Sequence, residues 1–282
     1  MIMRTLHTDN IIPAVRDLCI DANLELAADM KEKICTAAEE EKNPLGKRIL
    51  SSLVENMEIA KNDRIPICQD TGMAVFFVEL GQDLHIEGMA LSDAINEGVR
   101  RGYTEGYLRK SVVRDPLDRV NTGDNTPAII HYDIVPGEEL KITIAPKGFG
   151  SENMSKVYML KPADGEEGIK ASVLDAVKNA GPNACPPLVV GVGLGGDFEL
   201  VTKLAKKALT REAGSRNPLP HIARLEEELL TMINETGIGP GGLGGQTTAL
   251  ALNIETYPTH IAGMPLAVNM CCHVNRHKSV VL

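Results

Sequence analysis

The chain has no tryptophan, and aromatic residues make up only 3% of its 282 positions. Its core must be mainly aliphatic, and the stacking platforms that single-stranded nucleic acid requires are scarce. Excess positive charge is also missing, since the formal net charge is −9. Such an acidic balance argues against a phosphate backbone, so no nucleic-acid partner is expected. No segment approaches the roughly 18 uninterrupted apolar residues of a membrane span. The N-terminal "MIMRTLHTDNIIPAVRDLC" puts charges and a proline where a signal peptide needs an apolar run. A cytoplasmic location with no membrane partner is the expectation. C-x-x-C pairs are absent too, which removes zinc-ribbon and ferredoxin-type signatures. In a reducing compartment, six cysteines in a chain this long do not read as a disulfide framework.

What is present is ordinary globular usage, 43% apolar and 24% charged, enough to bury a sizeable core. Residues 11–43 carry apolar side chains at helical spacing (Ile12, Val15, Leu18, Cys19, Ala22, Leu26, Met30, Ile34), and a second helix is predicted over 45–62. The N-terminal region, about 1–62, is therefore expected to be helical. "GMAVFFVEL" (72–80) reads as a buried strand, and 91–108 as a helix. "PAIIHYDIVPGEELKITIAP" (127–146) reads as a hairpin around "PGEE". Helices are predicted over 165–181, 197–209 and 218–237 and a strand over 187–193, with two further apolar segments around 247–254 and 265–270. Hairpin-like strands between runs of helices imply an α+β fold. It should be mostly helical, with an antiparallel or mixed sheet in a single large domain.

Three glycine-rich stretches call for a reading. "GVGLGG" (191–196) matches G-x-G-x-x-G between a strand and a helix. No clear strand follows to carry the ribose-binding carboxylate, so a tight strand-to-helix turn is preferred over a dinucleotide site. "KGFGSENMSK" (147–156) can expose backbone N–H groups and lysine heads to an anion, although it lacks the G-K-[ST] of a P-loop. "GIGPGGLGGQTTAL" (237–250) has six glycines, and its amides around Gln246 to Thr248 could attract an anion.

The cysteines divide into two kinds. Cys19 and Cys35 lie on apolar helix faces and read as small buried hydrophobes. Cys68 in "PICQDTG", Cys185 in "GPNACPP", and Cys271 and Cys272 in "VNMCCHVNRH" lie at element ends beside Pro or Gly, where pocket rims form. Counting one of the adjacent pair, these are three isolated thiols from distant loops. Such thiolates can hold three irons of a 4Fe–4S cluster and leave the fourth open as a Lewis acid. The same thiols with His273 or His277 could instead build a structural zinc site.

"PICQDTG", "NTGDNTPAIIHYDIVPG", "KGFGSENMSKVYML", "NACPPLVVGVGLGG" and "GPGGLGGQTTALALNIETYPTHIAGMPLAVNMCCHVNRH" occur in this order. Together they resemble the alpha subunit of class I, iron–sulfur-dependent fumarate hydratases, a superfamily that includes the L-tartrate dehydratase alpha subunit. The resemblance covers essentially the whole chain, 1–282, as one alpha-subunit catalytic domain. It implies that Cys68, Cys185 and Cys272 hold a 4Fe–4S cluster, with Cys272 chosen over Cys271 because the family ligand directly precedes the "HxxR"-like "HVNR". It implies that Gln69 hydrogen-bonds the substrate and that Asp70 carries a proton at the leaving hydroxyl. Arg109 would bind a substrate carboxylate and the backbone at Gly150 would contact substrate, with His260 in the active site. The implied reaction is reversible hydration of fumarate to L-malate, as in the tricarboxylic acid cycle, or dehydration of L-tartrate. The carbon base is expected on a separate beta subunit in an α2β2 assembly, because single-chain members carry it in a further domain.

Overall fold

The fold is described from a computed structural model for residues 3–282. Along the chain run β1 (Arg4–His7), α1 (Thr8–Leu24), α2 (Ala28–Glu40), α3 (Pro44–Asp63), β2 (Met73–Gly81), β3 (Leu84–Glu87), α4 (Leu91–Glu105), β4 (Ile129–Val135) and β5 (Leu140–Lys147). There follow α5 (Phe149–Glu152), β6 (Lys156–Leu160), α6 (Gly165–Ala180), β7 (Leu188–Gly196), α7 (Leu200–Ala208), α8 (Pro220–Asn234), β8 (Ala249–Thr259), β9 (Met264–Cys271) and β10 (Lys278–Val281). Helices and mixed sheets coexist without a regular βαβ alternation, so the α+β expectation holds. No helix among the described residues is long and apolar enough to cross a membrane.

Two compact units emerge. The first comprises the residues through Ala27, Ile59–Phe149 and Arg276–Leu282; the second comprises Ala28–Glu58 and Gly150–Asn275.

In the first unit a four-stranded sheet has the order β10-β5-β2-β4. The hairpin expected around "PGEE" does not form. β4 pairs parallel with β2, and β5 pairs antiparallel with β2, so β2 lies between them. The reason is burial. Ala74 to Phe77 and Val78 are all buried, and a strand apolar on both faces belongs at the centre of a sheet. β4 has Ile129, Tyr132 and Ile134 exposed and takes the edge. The turn still serves β2, because Gly81 N–H donates to Glu139 O at 2.8 Å and Gln82 N–H to Val135 O at 2.9 Å.

α1 and α4 contribute Ile11, Val15, Ile95 and Val99 to a core shared with Phe76, Ile142 and Ile144. The helical spacing over 11–43 breaks at residues 25–27, where α1 stops and α2 has yet to start. Asn23 O accepts Ile67 N–H at 3.0 Å, a partner outside the helix, and Glu25 is extended. A short parallel pair, β1 with β3, also precedes the helices; nothing in the helical spacing announces it.

The second unit holds the sheet β6-β9-β7-β8. β7 runs parallel to β8 and antiparallel to β9. α6 and α8 cover one face, with Val173, Val177, Leu225 and Leu229 against Val190, Val192 and Val268. α7 covers the other through Val201 and Ala205 against Ala267. "GVGLGG" is the body of β7, not a strand-to-helix turn. Its glycines make room for α7: a Cβ on Gly191 would sit 2.2 Å from Ala205 O, and one on Gly193 would sit 2.1 Å from Val201 O. Val190 and Val192 face one helix pair, and Gly191 and Gly193 the other helix, as the two-residue period of a strand demands.

Candidate active site

In the first unit the residues of "PICQDTG" leave α3 and lead into β2. Ile67 is anchored by Asn23 O, and the next three residues form a bend without regular structure. Cys68 is half-buried, and its thiol donates to Gln69 Oε1 at 3.3 Å. The Gln69 side chain is exposed.

Asp70 is held from two sides. Its Oδ1 accepts Gly72 N–H at 3.0 Å, and its Oδ2 accepts Phe149 N–H at 2.9 Å. The second contact follows from register: Met73 opposes Lys147, which brings the residues before β2 alongside those after β5. Gly148 leaves space for the carboxylate, since a Cβ there would lie 3.1 Å from Asp70 Oδ2.

The backbone beneath Asp70 is fastened by buried side chains. Tyr103 on α4 donates its hydroxyl to Thr71 O at 3.0 Å and Gly72 O at 3.1 Å. Burial pushes the Tyr103 phenol above its ordinary range, so it stays a donor. Asn125 Nδ2 donates to Gly72 O at 3.2 Å while its Oδ1 accepts Ser111 N–H at 2.6 Å. Arg276 donates to Asp70 O through Nη2 and to Pro146 O through Nε at 3.3 Å. Every loop carbonyl from Asp70 to Gly72 therefore has a buried partner, as such groups require.

Arg109 hangs from the same support. Its carbonyl accepts the Thr71 hydroxyl at 3.1 Å, and the Asn125 bond to Ser111 fixes the chain two residues on. The Arg109 side chain is exposed. Among the described residues no carboxylate lies within ion-pair distance of it, which leaves its fork of donors available to an anion.

The second unit gathers a different set. Cys185 follows the 3-10 turn Gly181–Ala184 with φ 55° and ψ 64°, left-handed for a non-glycine residue. Such backbone strain concentrates at functional positions. Cys185 is exposed, and its carbonyl accepts His273 Nδ1–H at 3.2 Å. Cys272 directly precedes His273, just beyond the end of β9. Antiparallel pairing of Val189 with Cys271 puts the start of β7 and the end of β9 at the same end of the sheet. Gly150 belongs to the same neighbourhood: a Cβ there would lie 3.9 Å from Asn183 O.

His260 does not join this group. It sits exposed in the β8–β9 turn, its Nδ1 accepting Ala262 N–H at 3.1 Å. The eight residues of β9 separate that turn from Cys272, a span of about 25 Å at the rise of a strand.

The donor chemistry can be tested against a metal. None of the six cysteines is in a disulfide. Among the described residues, no three His, Cys, Asp or Glu side chains converge as ligands of one ion. A single zinc needs that convergence, whereas a cluster takes each thiolate on a different iron. Cys68, Cys185 and Cys272 are outside regular elements and at least partly exposed, whereas Cys19 and Cys271 are buried. Soft thiols of that kind suit an iron–sulfur cluster.

A family description, fumarate hydratase (Fumerase), matches residues 12–281. The chain belongs to this family. It is a hydro-lyase. Similar proteins include one from Methanocaldococcus jannaschii, provisionally named an L(+)-tartrate dehydratase subunit alpha. It is 42% identical over 94% of this chain and 95% of its own length. The L(+)-tartrate dehydratase subunit alpha of Escherichia coli O157:H7 is 33% identical over 90% of this chain and 84% of its own. That of Shigella boydii serotype 4 gives the same figures.

Tyr103, Asn125 and Arg276 were not among the site residues the sequence suggested. Tyr103 looks like one more apolar position on α4, and "HVNR" drew attention only as the flank of Cys272. The one available signal for Asn125 is "GDNTP", where an asparagine before Thr-Pro can take the left-handed backbone it adopts here, φ 63°.

Proposed function

We propose that this chain is the alpha subunit of a two-subunit hydro-lyase that reversibly hydrates fumarate to L-malate, with Cys68, Cys185 and Cys272 holding a 4Fe–4S cluster. The observation that carries the reading is the shared support of Asp70 and Arg109. One buried hydrogen-bond network fixes a carboxylate and the backbone of an unpaired guanidinium, a pairing suited to an acid–base step on a bound carboxylate.

When bound, the cluster supplies a Lewis-acidic iron toward the substrate hydroxyl. Arg109 binds one substrate carboxylate through parallel N–H bonds. Cys68 would hold the cluster as a thiolate, without the proton that now engages Gln69 Oε1, and the Gln69 amide would then be available to the substrate. Asp70, immobilised by Gly72 and Phe149 N–H groups, holds the proton exchanged at the departing hydroxyl. The Gly150 N–H contributes a backbone donor. Proton removal at carbon falls to a base on a beta subunit in an α2β2 assembly, as the family resemblance implies. His260, at the far sheet end from Cys185 and Cys272, takes part in this reading only by serving the site of a neighbouring copy.

L-tartrate is the second reading, favoured by the names of the relatives; its extra hydroxyl asks for the same cluster and carboxylate grip. Anaerobic co-purification with the partner subunit, iron and sulfide counting, and assays on fumarate and L-tartrate decide between them. Iron with matching sulfide and turnover of one diacid support the proposal. One zinc without sulfide, or full turnover by the isolated chain, refutes it.

A further inference from the structure

Arg276 is 4% exposed, and among the described residues no carboxylate forms an ion pair with it. Its Nη1 is buried without a hydrogen-bond partner. An arginine so placed is expensive to desolvate, and the two bonds it does make are to backbone carbonyls, Asp70 O and Pro146 O. Those carbonyls belong to the two segments whose N–H groups grip the Asp70 carboxylate. One planar fork thus spans the loop before β2 and the turn after β5. Within this unit the Tyr103 phenol lies in the electrostatic field of both Arg276 and Asp70, which marks the three as one neighbourhood.

We propose that Arg276 is a positioning residue for Asp70. It acts through the backbone: by holding Asp70 O and Pro146 O together it keeps Gly72 N–H and Phe149 N–H aimed at the carboxylate. Lysine cannot replace it, because a single ammonium does not offer two rigidly spaced donors. This inference rests on the catalytic part given to Asp70 above, and a readout without turnover separates the two.

The experiment compares R276K and R276Q with the parent, each as the full chain co-purified with its partner subunit. Hydrogen–deuterium exchange of the apo complex should show faster exchange at Gly72 and Phe149 in both variants. Exchange in β7 and β9 should be unchanged, and R276K should still unfold in a single transition, with a modestly lower thermal midpoint. On the loaded complex, kcat should fall roughly tenfold to a hundredfold with KM little altered, the signature of a displaced catalytic group. Altered exchange with no effect on kcat in an active enzyme leaves the loop clamp standing but removes Asp70 from the chemistry. Unchanged exchange at both amides overturns the inference. Global unfolding of both variants also overturns it, because Arg276 would then be a folding residue.

Discussion

Both carboxylate oxygens of Glu41 accept the backbone N–H of Gln246, at 3.1 and 2.9 Å, and Oε2 also accepts that of Thr247 at 3.1 Å. The amides at the exit of the glycine-rich loop thus hold the chain's own carboxylate, and no external anion is needed to satisfy them. The loop in turn supports a candidate ligand, since Gly241 N–H donates to Pro186 O at 2.8 Å, one residue past Cys185. Glu41 is therefore two contacts removed from the Cys185 turn, all within the second unit.

The first prediction concerns that carboxylate. Burial raises the Glu41 pKa, but N–H bonds from Asn43, Gln246 and Thr247 outweigh it, and the net shift is downward. A lowered folded-state value contributes stability that is complete above the unfolded-state value, near ~4.3. That contribution is lost as pH falls through the folded value. E41Q should lose about 1–3 kcal/mol at pH 7 and show less further loss on acidification than the parent. Urea unfolding at pH 7 and at pH 3.5 measures both, and equal stability of parent and variant at neutral pH would count against the clamp.

Tyr103 offers a second test. Y103F strips the Thr71 carbonyl of its donor and leaves Gly72 O with Asn125 alone. The expected cost is about 1–3 kcal/mol of stability. Turnover of the loaded complex should fall with it, because the Asp70 loop loses a fixed point. If unfolding free energy and turnover both match the parent, the hydroxyl does not hold the loop.

The third concerns a glycine that a dinucleotide motif would explain differently. In G193A the new methyl would meet Val201 O at 2.1 Å, and backbone cannot swing aside like a side chain. Displacing α7 from β7 should cost roughly 3 kcal/mol or more, seen as a lower urea midpoint. Parent-like stability in G193A would show that α7 is not seated on this strand.

These cases mark how far the residues could be read alone. The helix expected over 45–62 forms, and the structure shows local signals at its start: Asn43 caps it and Pro44 begins it. The pairing of β4 with β5 was misread because the hairpin pattern is local, whereas the decision belongs to β2, whose apolar run outcompetes either partner for the sheet centre. "GVGLGG" misled for a related reason: glycines that admit a helix against a strand look like glycines that turn a chain. Asp70 and Arg109 are candidates that family motifs suggest, whereas Tyr103 and Arg276 are not. Their role lies in donating to main-chain carbonyls, and no pattern of side-chain types encodes such a role. His260 matched its motif, and only the strand direction of β9 reveals its distance from Cys272.

The last prediction separates the adjacent cysteines. Cys271 is the final residue of β9, 4% exposed and opposite Val189 in the ladder. Side chains alternate along a strand, and its neighbour Cys272 is already beyond the pairing and partly exposed. A ligand must present its thiolate to the metal, so C272S should lose the cluster, with iron and sulfide per chain falling well below the parent and the brown absorption fading. C271S should keep both, at a modest cost in stability from the polar hydroxyl in a buried strand, about 1–2 kcal/mol. Anaerobic reconstitution of the two variants beside the parent, followed by iron and sulfide analysis, measures the difference. The reverse outcome, iron lost in C271S and kept in C272S, would move the third thiolate one residue back. It would also require β9 to end before Cys271.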